Sequence, residues 1–407
     1  MTRYTAWTLV LLTGIWLLTA CKKDKDVAPS VVDRGIVSSN ASKNRFDYIS
    51  GRSNYSSAKF YNVGHGADLI SYYNGITLYR DAWGMSSLVD VNTGDVLYTG
   101  YYYIEAPGAP ILIYKDMALI HERVGTGDAR LIMMKIDDKS IVWERSTPGL
   151  FSLRGVVGKY AIGNSNGDCY IIDLDNGQGM RVPEINAFTN YFVSNYNSFA
   201  VLKAYDNEIL FYSSDGTLKK RVVLSDKIEL WIGEYFSSAY KDLALIVVGV
   251  SNLSFKMFAL DMKQEKVLWE KTLSQDKRYV SFSNDDRYAY ALLYKKQEGK
   301  YYLELSDIKT GELVETLAVP DGILPTNWIS GGYRISLNPL MLRNYWMFFY
   351  VKEGTAYIRA FDKASRQWKQ WTVTLPVNVL SFDAITLDEK GRIYIDCEGY
   401  NGFVMIE

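Results

Sequence analysis

The chain has 407 residues, with 45 Lys plus Arg against 46 Asp plus Glu and only two His, for a formal net charge of −1. That balance, with both signs interspersed, offers no basic stripe for nucleic acid. Two histidines exclude a multi-histidine metal site and leave few general bases. A chain this long buries roughly 75% of its extended surface, so it needs no disulfide scaffold.

The N-terminal stretch carries a lone Arg3, an apolar run from Ala6 through Ile15 to Leu18, then Thr19, Ala20 and Cys21. The pattern reads as a secretory signal over residues 1–20, because a signal peptidase needs small residues before the cut. The run is short for a bilayer span, which takes about 20 apolar residues. Leu18-Thr19-Ala20-Cys21 resembles the bacterial lipobox, and the resemblance implies cleavage before Cys21 and lipidation of its thiol. Residues 21–32 then form a flexible tether opening with Lys22-Lys23-Asp24-Lys25-Asp26. This Lys/Asp-rich stretch resembles the export signal of Bacteroidetes lipoproteins, which implies the outer membrane and favours the cell surface over the periplasm.

Residues 33–407 carry an internal repeat. Ser87-Leu88-Val89-Asp90-Val91-Asn92-Thr93-Gly94-Asp95-Val96-Leu97-Tyr98 is a strand, a turn and a second strand, and the same shape returns around Lys135, Asp173, Tyr212, Asp261, Asp307 and Asp362. The seven anchors recur about every 45 residues, a propeller-blade period. Asp or Asn before Gly suits such turns, since the side chain bonds its own backbone and Gly accepts positive φ. A further alternating strand precedes most of these hairpins, as at Asp116, Lys159, Ser198, Asp242, Arg287 and Tyr345. No long helical period interrupts them. The fold expected is an all-β propeller of four-stranded antiparallel blades, eight in number with seven as the alternative. The last blade lacks an outer strand, and either Gly35 to Ser38 or Phe46 to Ile49 is expected to supply it and close the ring.

Two copies keep a fuller signature, Ile141-Val142-Trp143-Glu144 and Val267-Leu268-Trp269-Glu270. They resemble the repeats of the pyrroloquinoline-quinone-like (quinoprotein) propellers, in which this Trp docks between adjacent blades, so Trp143 and Trp269 are expected to be packing residues. The equivalent place holds Tyr98, Arg181, Lys220, Glu315 and Gln370 in the other copies. The vicinal cysteine pair and calcium ligands of the cofactor-using members are missing, so no cofactor and no metal are expected. The lipoprotein members without the cofactor imply a protein-binding scaffold.

Local motifs carry no chemistry. Asp173-Leu174-Asp175-Asn176-Gly177 opens like a calcium loop but lacks the distal Glu, and Gly163-Asn164-Ser165-Asn166-Gly167 matches a nucleophile elbow but is flanked by strands. Both read as hairpin turns. Cys169 and Cys397 sit in strand-like runs and read as buried free thiols. His121 lies in an alternating strand, whereas His65, between two glycines, is freer to meet a ligand. Carboxylates converging from separate blades would leave no local spacing to read.

Aromatic residues make up 14% of the chain. Most belong to the core, but Trp83, Tyr101, Tyr102, Tyr103, Trp231 and Trp328 fall in expected connections, and with His65 they form the candidate partner face. The sequence therefore points to a monomeric, non-catalytic outer-membrane or cell-surface lipoprotein, held to the membrane through Cys21, whose propeller is a protein-binding scaffold. A glycan or small-ligand binder using the loop aromatics is the alternative, and an enzyme with carboxylates at the central channel stands third.

Overall fold

The computed structural model describes residues 45–46 and 49–407, apart from 63–66, 74–75, 82–84, 91–95, 102–111, 125–127, 148–150, 166, 187–189, 196, 204–205, 225–234, 252–253, 274–277, 296, 326–334, 380–384, 389 and 398–401. Residues Val31–Glu407 form one compact unit. Its strands are grouped in eight sheets.

Seven sheets are each built from four consecutive strands. Sheet I comprises Ala67–Tyr73, Ile76–Asp81, Met85–Asp90 and Val96–Tyr101, and sheet II Leu112–Tyr114, Met117–Val124, Asp128–Lys135 and Ile141–Thr147. Sheet III holds Ser152–Val157, Tyr160–Ser165, Asp168–Asp173 and Gly179–Asn186, and sheet IV Asn190–Ser194, Ser198–Lys203, Glu208–Ser213 and Leu218–Val223. Sheet V runs through Tyr235–Tyr240, Leu243–Ser251, Ser254–Asp261 and Lys266–Thr272, and sheet VI through Arg278–Asn284, Tyr288–Lys295, Lys300–Asp307 and Leu313–Ala318. Sheet VII contains Ile335–Leu342, Tyr345–Lys352, Thr355–Asp362 and Gln367–Thr374. Within each, neighbouring strands are antiparallel, and the first strands of sheets I and II, and of III through VII in succession, lie against one another.

Sheet VIII is composite. Ile385–Leu387, Ile393–Asp396 and Gly402–Ile406 come from the C-terminus, and the outer strand is Ala58–Asn62, antiparallel to the last, with Ala58 opposite Ile406 and Asn62 opposite Gly402. This corrects the expected closing segment. Phe46 instead belongs to Arg45–Phe46, which runs parallel to the first strand of sheet VII, Phe46 beside Leu342, and gives that sheet a fifth strand. Gly35 to Ser38 lies outside the described residues. Ala58–Asn62 takes the edge with Tyr61 buried and stacked on Phe403, and with the exposed Lys59 on the same side laying its ammonium 4.6 Å over the Tyr61 ring. The first strand of sheet I lies beside the first strand of sheet VIII, which completes the circle.

Apolar faces of adjacent sheets fill the space between them. One cluster joins sheets VII and VIII through Met347, Phe349, Ile358, Ile393 and Val404, and another joins VI and VII through Tyr290, Leu303, Trp346, Phe348 and Phe361. Aromatic rings suit this role because they bury large areas on a pleated surface. Cys169 and Cys397 are buried and unbridged, as their strand setting indicated.

The repeated turns follow the anchors. The Asp173 carboxylate accepts the N–H of Asp175 at 2.9 Å, and Asp307 and Asp362 accept N–H groups two and three residues on. Asx turns of this kind settle the hairpin ends locally. In sheet IV the anchor is Ser213, one place later than Tyr212: Ser213 N–H donates to Thr217, and the turn is one residue shorter than the Asp173 turn closed on Gln178. The shortened turn leaves Lys220 in the place that Trp143 and Trp269 occupy, opposite Phe211 as Trp143 is opposite Met133.

Candidate binding surface

An antiparallel meander puts the turns between first and second strands at the same end of the ring as the turns between third and fourth strands. Backbone bonds tie the two kinds together: Ile136 donates to Asp116, Leu174 to Lys159, Met262 to Asp242, Ile308 to Arg287 and Lys363 to Asn344, at 2.7–3.0 Å. This turn end consumes the most buried carboxylates. Asp388, 1% exposed, accepts the Arg392 side chain, the Tyr394 hydroxyl and the N–H groups of Lys390 and Arg392. Asp285 likewise accepts the Tyr290 hydroxyl and the N–H groups of Arg287 and Tyr288.

Charge at this end is locally paired. The hydrogen bond from Lys115, 2.8 Å away, holds the Asp175 carboxyl below its usual range and pushes the Lys115 ammonium up to about 12. The Ser213 hydroxyl and the Thr217 N–H lower Asp215 in the same way. Carboxylates so engaged are turn staples, because their lone pairs are already used. Among the described residues no group of three or more His, Cys, Asp or Glu is placed to hold a metal ion.

The outer rim is different. Ile141 and Val142 are 56% and 41% exposed at the start of the outer strand of sheet II, and Met180 is 50% exposed at the start of the outer strand of sheet III. Leu313 and Val314 repeat the pattern in sheet VI, and Val223 is exposed in sheet IV. A β-bulge explains the paired residues. Pairing jumps from Ile141 to Trp143 on one side while advancing one residue on the other, so Val142 is the extra residue and Trp143 turns inward. The sequence carries this as two apolar residues directly after a turn, at Ile141-Val142 and Leu313-Val314, a break in strict alternation.

The residues expected from the sequence fall mostly elsewhere. Cys21, His65, Trp83, Tyr102, Tyr103, Trp231 and Trp328 lie outside the described residues, as do residues 1–20 and the tether. Tyr101 ends the outer strand of sheet I, opposite Met85. The described strands that flank these positions all end at the side of the ring opposite the turn end. Trp143 and Trp269 are packing residues: their indole N–H groups donate to Leu174 and Ile308 of the following sheets, each at 2.9 Å. The Asp173–Gly177 and Gly163–Gly167 stretches are hairpin turns.

No protein-family model matches the chain, and no curated protein matches it. Among solved structures it is similar to the quinohemoprotein alcohol dehydrogenase of Comamonas testosteroni, at 13% identity over 93% of this chain and 80% of that one, with a TM-score of 0.51. Sqt1 of Saccharomyces cerevisiae is similar at 10% identity, over 87% of this chain and 99% of that one, with a TM-score of 0.52. BamB from Moraxella catarrhalis aligns at 14% identity over 87% and 96%, with a TM-score of 0.48. The fold is a β-propeller. At such identities the likeness is one of fold, and propellers host many unrelated functions.

Proposed function

We propose that this propeller is a non-catalytic, protein-binding scaffold, carried on the outer membrane or cell surface by a lipid on Cys21. One observation carries the binding reading. Ile141, Val142 and Met180 stand exposed on the outer strands of neighbouring sheets, and large apolar residues left exposed on a rim favour protein contact. Trp83, Tyr101, Tyr102, Tyr103, Trp231, Trp328 and His65 remain the candidate partner-face residues of this reading.

The test places a photo-crosslinking amino acid at Ile141 in the full chain within its own cells, with Lys219 as the control site. A single discrete adduct from position 141, lost when Met180→Asp is added, supports the scaffold. Equal or absent adducts at both sites remove the rim from it. Cys21→Ser tests the anchor, since the variant should leave the membrane fraction and lose fatty-acid label.

A further inference from the structure

Each sheet extends outward from its first strand, so the free edge of that strand borders the middle of the ring. Such an edge presents a row of main-chain N–H and C=O groups that a further strand can take up. In sheet VII it is taken. Arg45–Phe46 pairs with Met341 and Leu342 on the side of Ile335–Leu342 that faces away from Tyr345–Lys352. Among the described residues no other sheet carries a strand inside its first one.

The pairing is parallel, and Leu342 leads directly into the turn end, so Arg45 to Phe46 also runs toward that end. The chain is pinned once it arrives there. Arg343 N–H donates to the Ile49 carbonyl at 2.8 Å, Gly51 lies against Leu342 and Tyr345, and the Tyr55 hydroxyl donates to Gly391 at 3.0 Å in the first turn of sheet VIII. Residues 49–57 thus cross the turn end from the inner side of sheet VII to the outer edge of sheet VIII, where Ala58–Asn62 begins. Traced back from Arg45, the chain enters the middle of the ring and heads away from the turns. Val31–Glu407 belong to one compact unit, so the residues just before Arg45 stay with the ring.

We propose that residues 33–44 dock along the inner edge of sheet VII and fill the middle of the ring, an occupant that the chain supplies to itself. Ile335–Leu342 has 8 residues, a depth of about 27 Å at ~3.3 Å per residue, and residues 33–44 reach about 40 Å when extended. The segment is long enough to run the full depth. Ser38, Ser39, Asn40, Ala41 and Ser42 are small, which lets two backbones approach closely. Pro339 has no N–H, and the register of the first strand breaks between Ser336 and Leu340, so the ladder stops near Leu340 and the rest of the contact is packing. The docking is independent of the exposed rim and of the lipid on Cys21, and it takes the middle of the ring away from a channel-bound substrate.

The experiment places a photo-crosslinking amino acid at Ser39 in the full chain and maps the intramolecular adducts by mass spectrometry. They should fall on Ile335–Leu342 or on the flanking first strands Arg278–Asn284 and Ile385–Leu387. Trypsin acting on the folded parent should cut after Lys43 at least about tenfold more slowly than after Lys25, because a docked segment is cleaved only when it opens. Arg45→Pro combined with Phe46→Pro removes both main-chain donors of the pair, and it should speed the cut at Lys43 and abolish the adducts. If that variant does not fold, the adduct map of the parent decides. Adducts on outer strands alone, no intramolecular adduct, equal cleavage at Lys43 and Lys25, or a folded proline variant with unchanged protection would overturn the assignment.

Discussion

Glu315 and Arg366 form an ion pair across the boundary between sheets VI and VII, in the same two places where Trp143 meets Gly177 and Trp269 meets Gly311. The first member always sits on an outer strand, and the second closes the turn of the following sheet with positive φ, +73° at Gly177, +75° at Gly311 and 56° at Arg366. A Cβ added to Gly177 would fall 2.7 Å from the Trp143 ring, and one on Gly311 would fall 2.8 Å from Trp269. Ring against glycine and carboxylate against guanidinium are thus alternative clasps at one kind of joint.

Trp143→Ala should destabilise the protein by about 3–5 kcal/mol, since it empties a buried ring site and leaves the Leu174 carbonyl without its donor. Gly177→Ala should also destabilise, through positive φ and the ring clash. In the Trp143→Ala background its cost should fall by about 0.5 kcal/mol or more, because the clash is gone. Urea unfolding of the four proteins measures the coupling.

The two clasps should be interchangeable. Glu315→Trp alone and Arg366→Gly alone each break the ion pair, which is partly exposed and contributes about 1 kcal/mol or less. Combined, they recreate the ring-on-glycine joint, and the double variant should exceed the sum of the singles by about 1–3 kcal/mol. A coupling of zero in a double-mutant cycle would show that the joint is fixed by its surroundings.

Lys139 and Glu265 hold φ of 59° and 54° at the turn position that Gly fills in sheets III and VI. A side chain there is strained, so Lys139→Gly and Glu265→Gly should each stabilise by about 0.5–1 kcal/mol once the flexibility of glycine in the unfolded chain is set against the relief. Thermal unfolding of the single variants checks the sign.

Burial pushes the Tyr55 phenol up to about 12, against an opposing pull from Arg52, and its hydroxyl donates to Gly391 at 3.0 Å. A phenol whose folded pKa is raised supports the fold below its unfolded value of about 10, and that support drains as pH climbs from about 10 to about 12. Tyr55→Phe should cost about 1 kcal/mol at pH 8 and lose this part of the alkaline slope. The gap between parent and variant should narrow from pH 10 upward in urea titrations.

The repeat was legible because the hairpins share a shape, an alternating strand, a short polar turn that often opens on Asp, and a second strand. Trp143 and Trp269 were legible as joints, and Cys169 as a buried thiol, for the same local reason. The closing strand was not. Ala58–Asn62 is five residues long, and its partner lies at the other end of the chain, so nothing near it in sequence marks the pairing. Arg359 was equally silent. It stands in an outwardly ordinary strand, and the Tyr350 and Tyr357 rings and the Trp371 carbonyl that surround it come from strands whose pairing no local spacing marks.

Ser56 and Ser57 both donate to the carbonyl of Glu407, and Glu407 donates back to Ser57. Glu407 is therefore a structural partner of residues far earlier in the chain. During synthesis, Ala58–Asn62 has no mate until Gly402–Ile406 has been made, and it stays unpaired for that interval. Closure of sheet VIII is a checkpoint on that strand: a chain cut before Gly402 leaves Ala58–Asn62 without a seat, and any change around Glu407 has to leave its carbonyl free to receive Ser56 and Ser57.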